Sequence, residues 1–169
     1  QFSQAKNGQI AIGKHLNSKD ALLTTIEKVG NQLDFDLNII DPQAIPFEDV
    51  NQNIDNLDRQ LTAVDRSIDS MNVDAQTDFN TVVKTSTQIK DIVHQLFELE
   101  DMANRLNQSI QTKQNALNQE LQENPAQQAI GSLVVEMMAK QVRAIVERVK
   151  TTQQHLLQKS HRFAHHHQL

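Results

Sequence analysis

The sequence has no cysteine, no tryptophan and no tyrosine, and only four glycines and three prolines in 169 residues. Without cysteine there is no disulfide framework, no zinc finger, no iron–sulfur cluster and no thiol nucleophile. The scarcity of glycine and proline argues against a turn-rich β-sandwich, and no Gly-rich phosphate loop is present. All six aromatic residues are Phe, so the expected core is aliphatic. No apolar run approaches the roughly 18 to 20 residues a membrane span needs. The best candidate, Ala129 to Val135, meets Glu136 at once.

What the chain has in abundance is polar amide. Gln and Asn make up about a fifth of the residues, well above an ordinary share. Sixteen Lys and Arg stand against 21 Asp and Glu, a net charge of -5. The first residue is Gln1 rather than Met. That suits a processed or trimmed chain or a part of a longer one, and a periplasmic, extracellular or virion location is favoured over a cytoplasmic one. The sequon Asn107-Gln108-Ser109 lies in a strongly helical stretch and is read as chance.

Hydrophobic spacing organises the chain. Residues 1–17 are polar and carry no sustained period, which predicts a flexible arm. Ser18 can cap a helix over about 18–33, with Ala21, Leu22, Ile26, Val29 and Leu33 at helical spacing and Gly30 near its end. Residues 34–45 read as a connector broken by Asp41-Pro42 and Pro46, with Leu37, Ile39, Ile40 and Ile45 apolar enough to pack on the helices. Pro46 suits a helix start, and Glu48 and Asp49 suit the positive end of the helix dipole.

From Phe47 to Asn124 there is neither Gly nor Pro. Val50, Ile54, Leu57, Leu61, Val64, Ile68 and Met71 follow one another at alternating spacings of four and three, a heptad seam. Asp58-Arg59 and Asp65-Arg66 repeat beside it. The period then slips between Ile68 and Phe79. A stutter in a continuous helix would do this, as would a turn at Met71–Asp74 with Asp74 capping the next helix, and the turn is favoured. A stripe resumes with Phe79, Val82, Ile89, Val93, Leu96, Leu99, Ala103, Leu106, Ile110, Leu117 and Leu121. Glu123-Asn124-Pro125 ends it. The last helix carries Ile130, Leu133, Val134, Met137, Met138, Val142, Ile145, Val149 and Leu156, with Val135 and Val146 broadening its apolar face.

The prediction is an all-α protein: an elongated antiparallel helical bundle or coiled coil of three to four helices, two of them long. The helices are expected at about 18–33, 46–71, 74–122 and 126–164, in one domain over 18–164, followed by a His-rich tail at 165–169. Charge is unevenly spread along it. From Asp34 to Asp101 fifteen acids face four bases, whereas from Met137 to Leu169 six bases accompany one acid. The basic last helix is therefore expected to lie over an acidic one. Nucleic acid is not expected as a partner, because the acidic balance and the lack of aromatic interleaving oppose it.

Few constellations carry chemistry. His161 and His165 are four apart and could share a metal on a helix, but a solvated tail explains the cluster His161, His165, His166 and His167 as well. Asp91, His94 and Glu98 share a helical face, yet the doubled Glu-x-x-His of a di-metal bundle is missing. Glu98, Glu100 and Asp101, like Asp34 and Asp36, are crowded acids with no sign of a pocket. Ser109, Ser132 and Ser160 have no nucleophile-elbow context. No catalytic residue, cofactor or metal site is therefore assigned, and the chain is not expected to be an enzyme.

The expected function is that of a structural or assembly subunit acting through helix–helix contacts with protein partners or with copies of itself. A component of a secretion, conjugation or virion machine outside the cytoplasm is the narrower form. The packing seams assigned to this role are Val50, Ile54, Leu57, Leu61, Val64, Ile68 and Met71, and Ile130, Val134, Met137, Val142, Ile145 and Val149. The alternative is a secreted membrane-active or lipid-binding bundle, with Lys140, Arg143, Arg148 and Lys150 on the polar side of an amphipathic last helix.

Overall fold

The computed structural model describes residues 19–45, 47–73, 78–119 and 124–167, the side chains of Ile39 and Asn118 excepted. The protein is all-α. Its described residues form four α-helices: α1 (Lys19–Gln32), α2 (Glu48–Ser70), α3 (Phe79–Gln119) and α4 (Pro125–His166). Two 3-10 turns, Leu37–Ile39 and Pro42–Ala44, join α1 to α2, and no strand occurs among the described residues. The arm expected over 1–17 and the Ser18 cap lie outside the described residues.

Local chemistry sets the ends of these elements. Asp34 adopts φ 57° just beyond α1. Phe35 N–H reaches Gly30 O (2.8 Å) and Asp34 N–H reaches Asn31 O (3.3 Å), which satisfies the last carbonyls in the pattern of a Schellman motif. Asp36 and Asp41 each cap the 3-10 turn that follows, accepting at 3.0 Å from Asn38 N–H and Gln43 N–H. Glu48 and Asp49 occupy the first turn of α2. That helix ends at Ser70, residues 71–73 are not helical, and α3 begins at Phe79. Asp78, rather than the Asp74 expected from sequence, caps α3: it accepts from Thr81 N–H at 3.4 Å and Thr81 Oγ1 at 3.2 Å. Asp74 itself lies outside the described residues. Asn124 caps α4 through Gln127 N–H (3.1 Å), with Pro125 in the first helical position. Helix α4 continues through His166, two residues into the stretch expected to be a tail.

The chain divides into two compact units, Gln1–Asp55 with Arg105–Ala144 and Asn56–Asn104 with Ile145–Leu169. In the first, Leu22, Ile26 and Val29 of α1, Ile40, Ile45 and Phe47 of the connector, Leu106 and Ile110 of α3, and Ile130, Val134 and Met138 of α4 are buried. Gln127 holds the connector with both ends of its amide. Its Nε2 donates to Asp41 O (2.8 Å) and its Oε1 accepts from Asp41 N–H (2.6 Å). Gly30 is a close approach rather than a helix end. A Cβ there would lie 2.3 Å from Leu37 Cδ2, so the bare backbone leaves room for the connector's leucine. Gln114 of α3 donates to Glu136 of α4 (3.2 Å), and Leu117 reaches Gly131, so these two helices run in opposite directions.

The second unit is a three-helix bundle. Leu57, Leu61, Val64 and Ile68 of α2, Ile89, Ile92, Leu96, Leu99 and Ala103 of α3, and Ile145, Val149, Leu156 and Phe163 of α4 form its core. Glu100 of α3 accepts from Gln153 of α4. Burial of this many aliphatic side chains, at about 25 cal/mol per Å2 of apolar surface, is the principal source of stability.

Candidate functional site

Both predicted packing seams are buried by the chain itself. Val50, Leu57, Leu61, Val64, Ile68 and Met71 are at most 5% exposed, and Ile54 is half-buried. Ile130, Val134, Met137, Val142, Ile145 and Val149 are at most 6% exposed. Apart from the edge of Ile54, these residues offer no free surface, and a partner must meet other faces.

Beside the apolar seam of α2 runs a polar one. Asp58, Thr62, Asp65 and Asp69 recur at spacings of four, three and four, and so do Arg148, Thr152, His155 and Lys159 on α4. The Arg148 guanidinium bonds Asp58, donates to Thr62 Oγ1 (2.8 Å) and lies 3.6 Å from Asp65 Oδ2. Thr152 Oγ1 donates to Asp65 Oδ1 (3.1 Å). His155 Nε2 lies 3.2 Å from Asp69 Oδ1. Lys159 Nζ reaches Met71 O at 2.7 Å and Asp69 O at 3.4 Å. The pairs advance together along both helices, so within this unit α2 and α4 are parallel. The basic last helix does lie against acids, but they are chiefly those of α2 rather than of the preceding helix. The shared spacing lets each member of one row meet a member of the other, and the ladder so ties the register of α2 and α4 in this unit.

Helix α3 departs from its expected stripe. Its buried line is Thr85, Ile89, Ile92, Leu96, Leu99, Ala103, Leu106 and Ile110, again at spacings of four and three. Phe79 is 77% exposed and Val93 half-buried, so neither belongs to it. They belong instead to a second line with the same spacing: Phe79, Val83, Ser86, Lys90, Val93 and Phe97. Val83 is 47% and Phe97 61% exposed. Glu100 and Asn104 continue this line and border a shallow cleft with Val146, Lys150 and Gln153 of α4. Leu157, 47% exposed, follows Gln153 on that edge of α4. Two staggered apolar lines on one helix had merged into a single stripe in sequence. The polar Thr85 in the buried line hid the separation, although the alternating spacing beginning at Phe79 would have revealed it.

The remaining candidates bring no chemistry together. His161 and His165 are exposed on α4, and Asp91, His94 and Glu98 are exposed on α3. No group of three or more metal-ligating side chains occurs among the described residues. The rings of Phe163 and His166 each lie 4.9 Å from that of His167, the first tilted by 58° and the second edge-on at 85°. Asp36 serves as a turn cap, and Glu100 is engaged by Gln153. Met137 and Met138 are core residues. No helix among the described residues is long and apolar enough to cross a membrane. Comparison with protein-family models, with curated proteins and with solved structures finds no match to this chain.

Proposed function

We propose that this protein is a non-enzymatic structural or assembly subunit that works through helix–helix contacts on the outer line of α3. The observation that carries this is the exposure of Phe79, Val83 and Phe97 at heptad spacing on one helix face, while the other apolar lines are buried. Exposed apolar side chains in a row of this kind mark an interaction surface more often than scattered ones do. The packing is taken to be of the coiled-coil kind, in keeping with spacings of four and three on α2, α3 and α4. The amide-rich faces suit a chain that is surrounded by other helices, as in a secretion, conjugation or virion assembly outside the cytoplasm.

The test is a photo-crosslinking amino acid placed at Phe97 in cells that make the protein. Adducts to protein are expected, and the same probe at exposed Gln60 on α2 should yield few. Adducts to lipid alone would replace this proposal with the membrane-active alternative. No adduct at all would overturn it.

A further inference from the structure

The outer line of α3 is close to a palindrome. Read forwards it is Phe79, Val83, Ser86, Lys90, Val93, Phe97, and read backwards the apolar residues fall in the same places. We infer that the partner of this line is a second copy of the same helix, laid antiparallel across a two-fold axis near Gln88. The inference rests on the assembly function proposed above and names its partner.

The two-fold axis makes six matched layers. Phe79 meets Phe97 of the second copy, Val83 meets Val93, and Ser86 meets Lys90, and each pair occurs twice. A surface that meets itself in this way is the isologous contact from which most closed dimers are built. Exposure supports the match, since the outermost layers join Phe79 at 77% and Phe97 at 61%, the two most exposed large apolar side chains of the described residues.

Charge selects the direction. Lys90 is the one charged residue of these six. In a parallel, in-register pair it would face Lys90 of the other copy, a like charge across an apolar seam. Antiparallel, it faces the small hydroxyl of Ser86, which can accept from the ammonium while the lysine stem covers apolar surface. A single lysine in such a seam commonly specifies register and oligomeric state at some expense in stability. The flanks add no repulsion. One side carries the uncharged Asn80 and Thr87 and then His94, and the other carries Val82, Ile89 and Leu96, of which Ile89 and Leu96 are already buried in the chain's own core.

The absence of cysteine gives a clean test. Val83→Cys and Val93→Cys are prepared separately, with far-ultraviolet circular dichroism confirming native helicity, and are oxidised alone and as an equimolar mixture. In the antiparallel dimer, position 83 faces position 93, whereas the two copies of either position lie about ten residues, or ~15 Å, apart along the axis. A disulfide cannot span that distance. The expected result is a covalent dimer in the mixture, at least fivefold above either variant alone. Ser86→Cys mixed with Lys90→Cys should also favour the mixed dimer, by a smaller margin because like positions there lie only about four residues, or ~6 Å, apart along the axis, and covers the case in which a valine variant fails to fold. Homodisulfides from Val83→Cys alone would show parallel pairing and overturn the inference. An absence of covalent dimer from both mixtures of folded variants would also overturn it. If the Phe97 probe then still captured a different protein, self-pairing would have failed while the assembly function stood; if it captured none, both would fall.

Discussion

Lys159 of α4 donates its ammonium to the main-chain oxygen of Met71, 2.7 Å away, and so closes the end of α2 from a neighbouring helix. The last carbonyls of a helix have no partner within it and carry the negative end of its dipole. Lys159→Met keeps the length of the side chain and removes the charge and its donors. It is expected to destabilise the protein by about 1 kcal/mol, seen as a lower midpoint in denaturant. Amide exchange should quicken selectively in the last turn of α2. An unchanged exchange profile there would contradict the capping role.

The Arg148 fork ties Asp58, Thr62 and Asp65 together on the polar ladder. Arg148 and Asp65 are each about one-third exposed, so solvent screens the pair and its contribution is modest. A double-mutant cycle with Arg148→Met and Asp65→Asn should give a coupling of roughly 0.5–1 kcal/mol. The coupling should shrink in 1 M salt, where the Debye length is about 3 Å. A coupling near zero at low salt would remove the ladder as a determinant of register.

The buried seams should be intolerant of change. Leu61 is 0% exposed, and Leu61→Ala is expected to cost about 2–5 kcal/mol. A charge at Leu61 or Ile145 should cost more, because nothing in an apolar core would pair it. By contrast, Phe79→Ala at a 77% exposed position should alter monomer stability by no more than ~0.5 kcal/mol. Equal melting of Leu61→Ala and Phe79→Ala would refute the distinction between the inner and outer lines.

Asp34 holds a left-handed conformation that is costly for a residue with a Cβ. Asp34→Gly removes the strain in place and is expected to stabilise the protein by up to about 1 kcal/mol. Thermal denaturation measures it, and a loss of stability would show that the Asp34 side chain contributes more than its backbone strain costs.

These particulars separate what periodicity reveals from what it conceals. The α2 seam from Val50 to Met71 is legible because its apolar members are nearly unbroken and only one line on that helix is apolar. The N-terminal half of α3 is ambiguous, since it bears two lines one step apart and polar residues stand in both, Thr85 within and Ser86 without. On α4, Thr152 and Lys159 fall on the buried spacing and look like interruptions. They are polar because they bond Asp65 and the end of α2, contacts that depend on a helix some ninety residues away in sequence. Gly30 likewise reads as a helix breaker until Leu37 is seen beside it. The outer line of α3 was present in the spacing, but its exposure follows from which neighbouring helices cover the others.

The clamp between Gln127 and Asp41 gives one of the chain's many amides a distinct vulnerability. Most surface amides can lose ammonia to become carboxylates with little effect on a fold. Gln127 uses its oxygen as an acceptor and its nitrogen as a donor to the main chain of the same residue, Asp41. Conversion to Glu would set a carboxylate oxygen against the Asp41 carbonyl, two acceptors with no proton between them. Chemical ageing at this one position would release the connector at Asp41, while the same reaction at an exposed amide such as Gln60 would pass almost unnoticed.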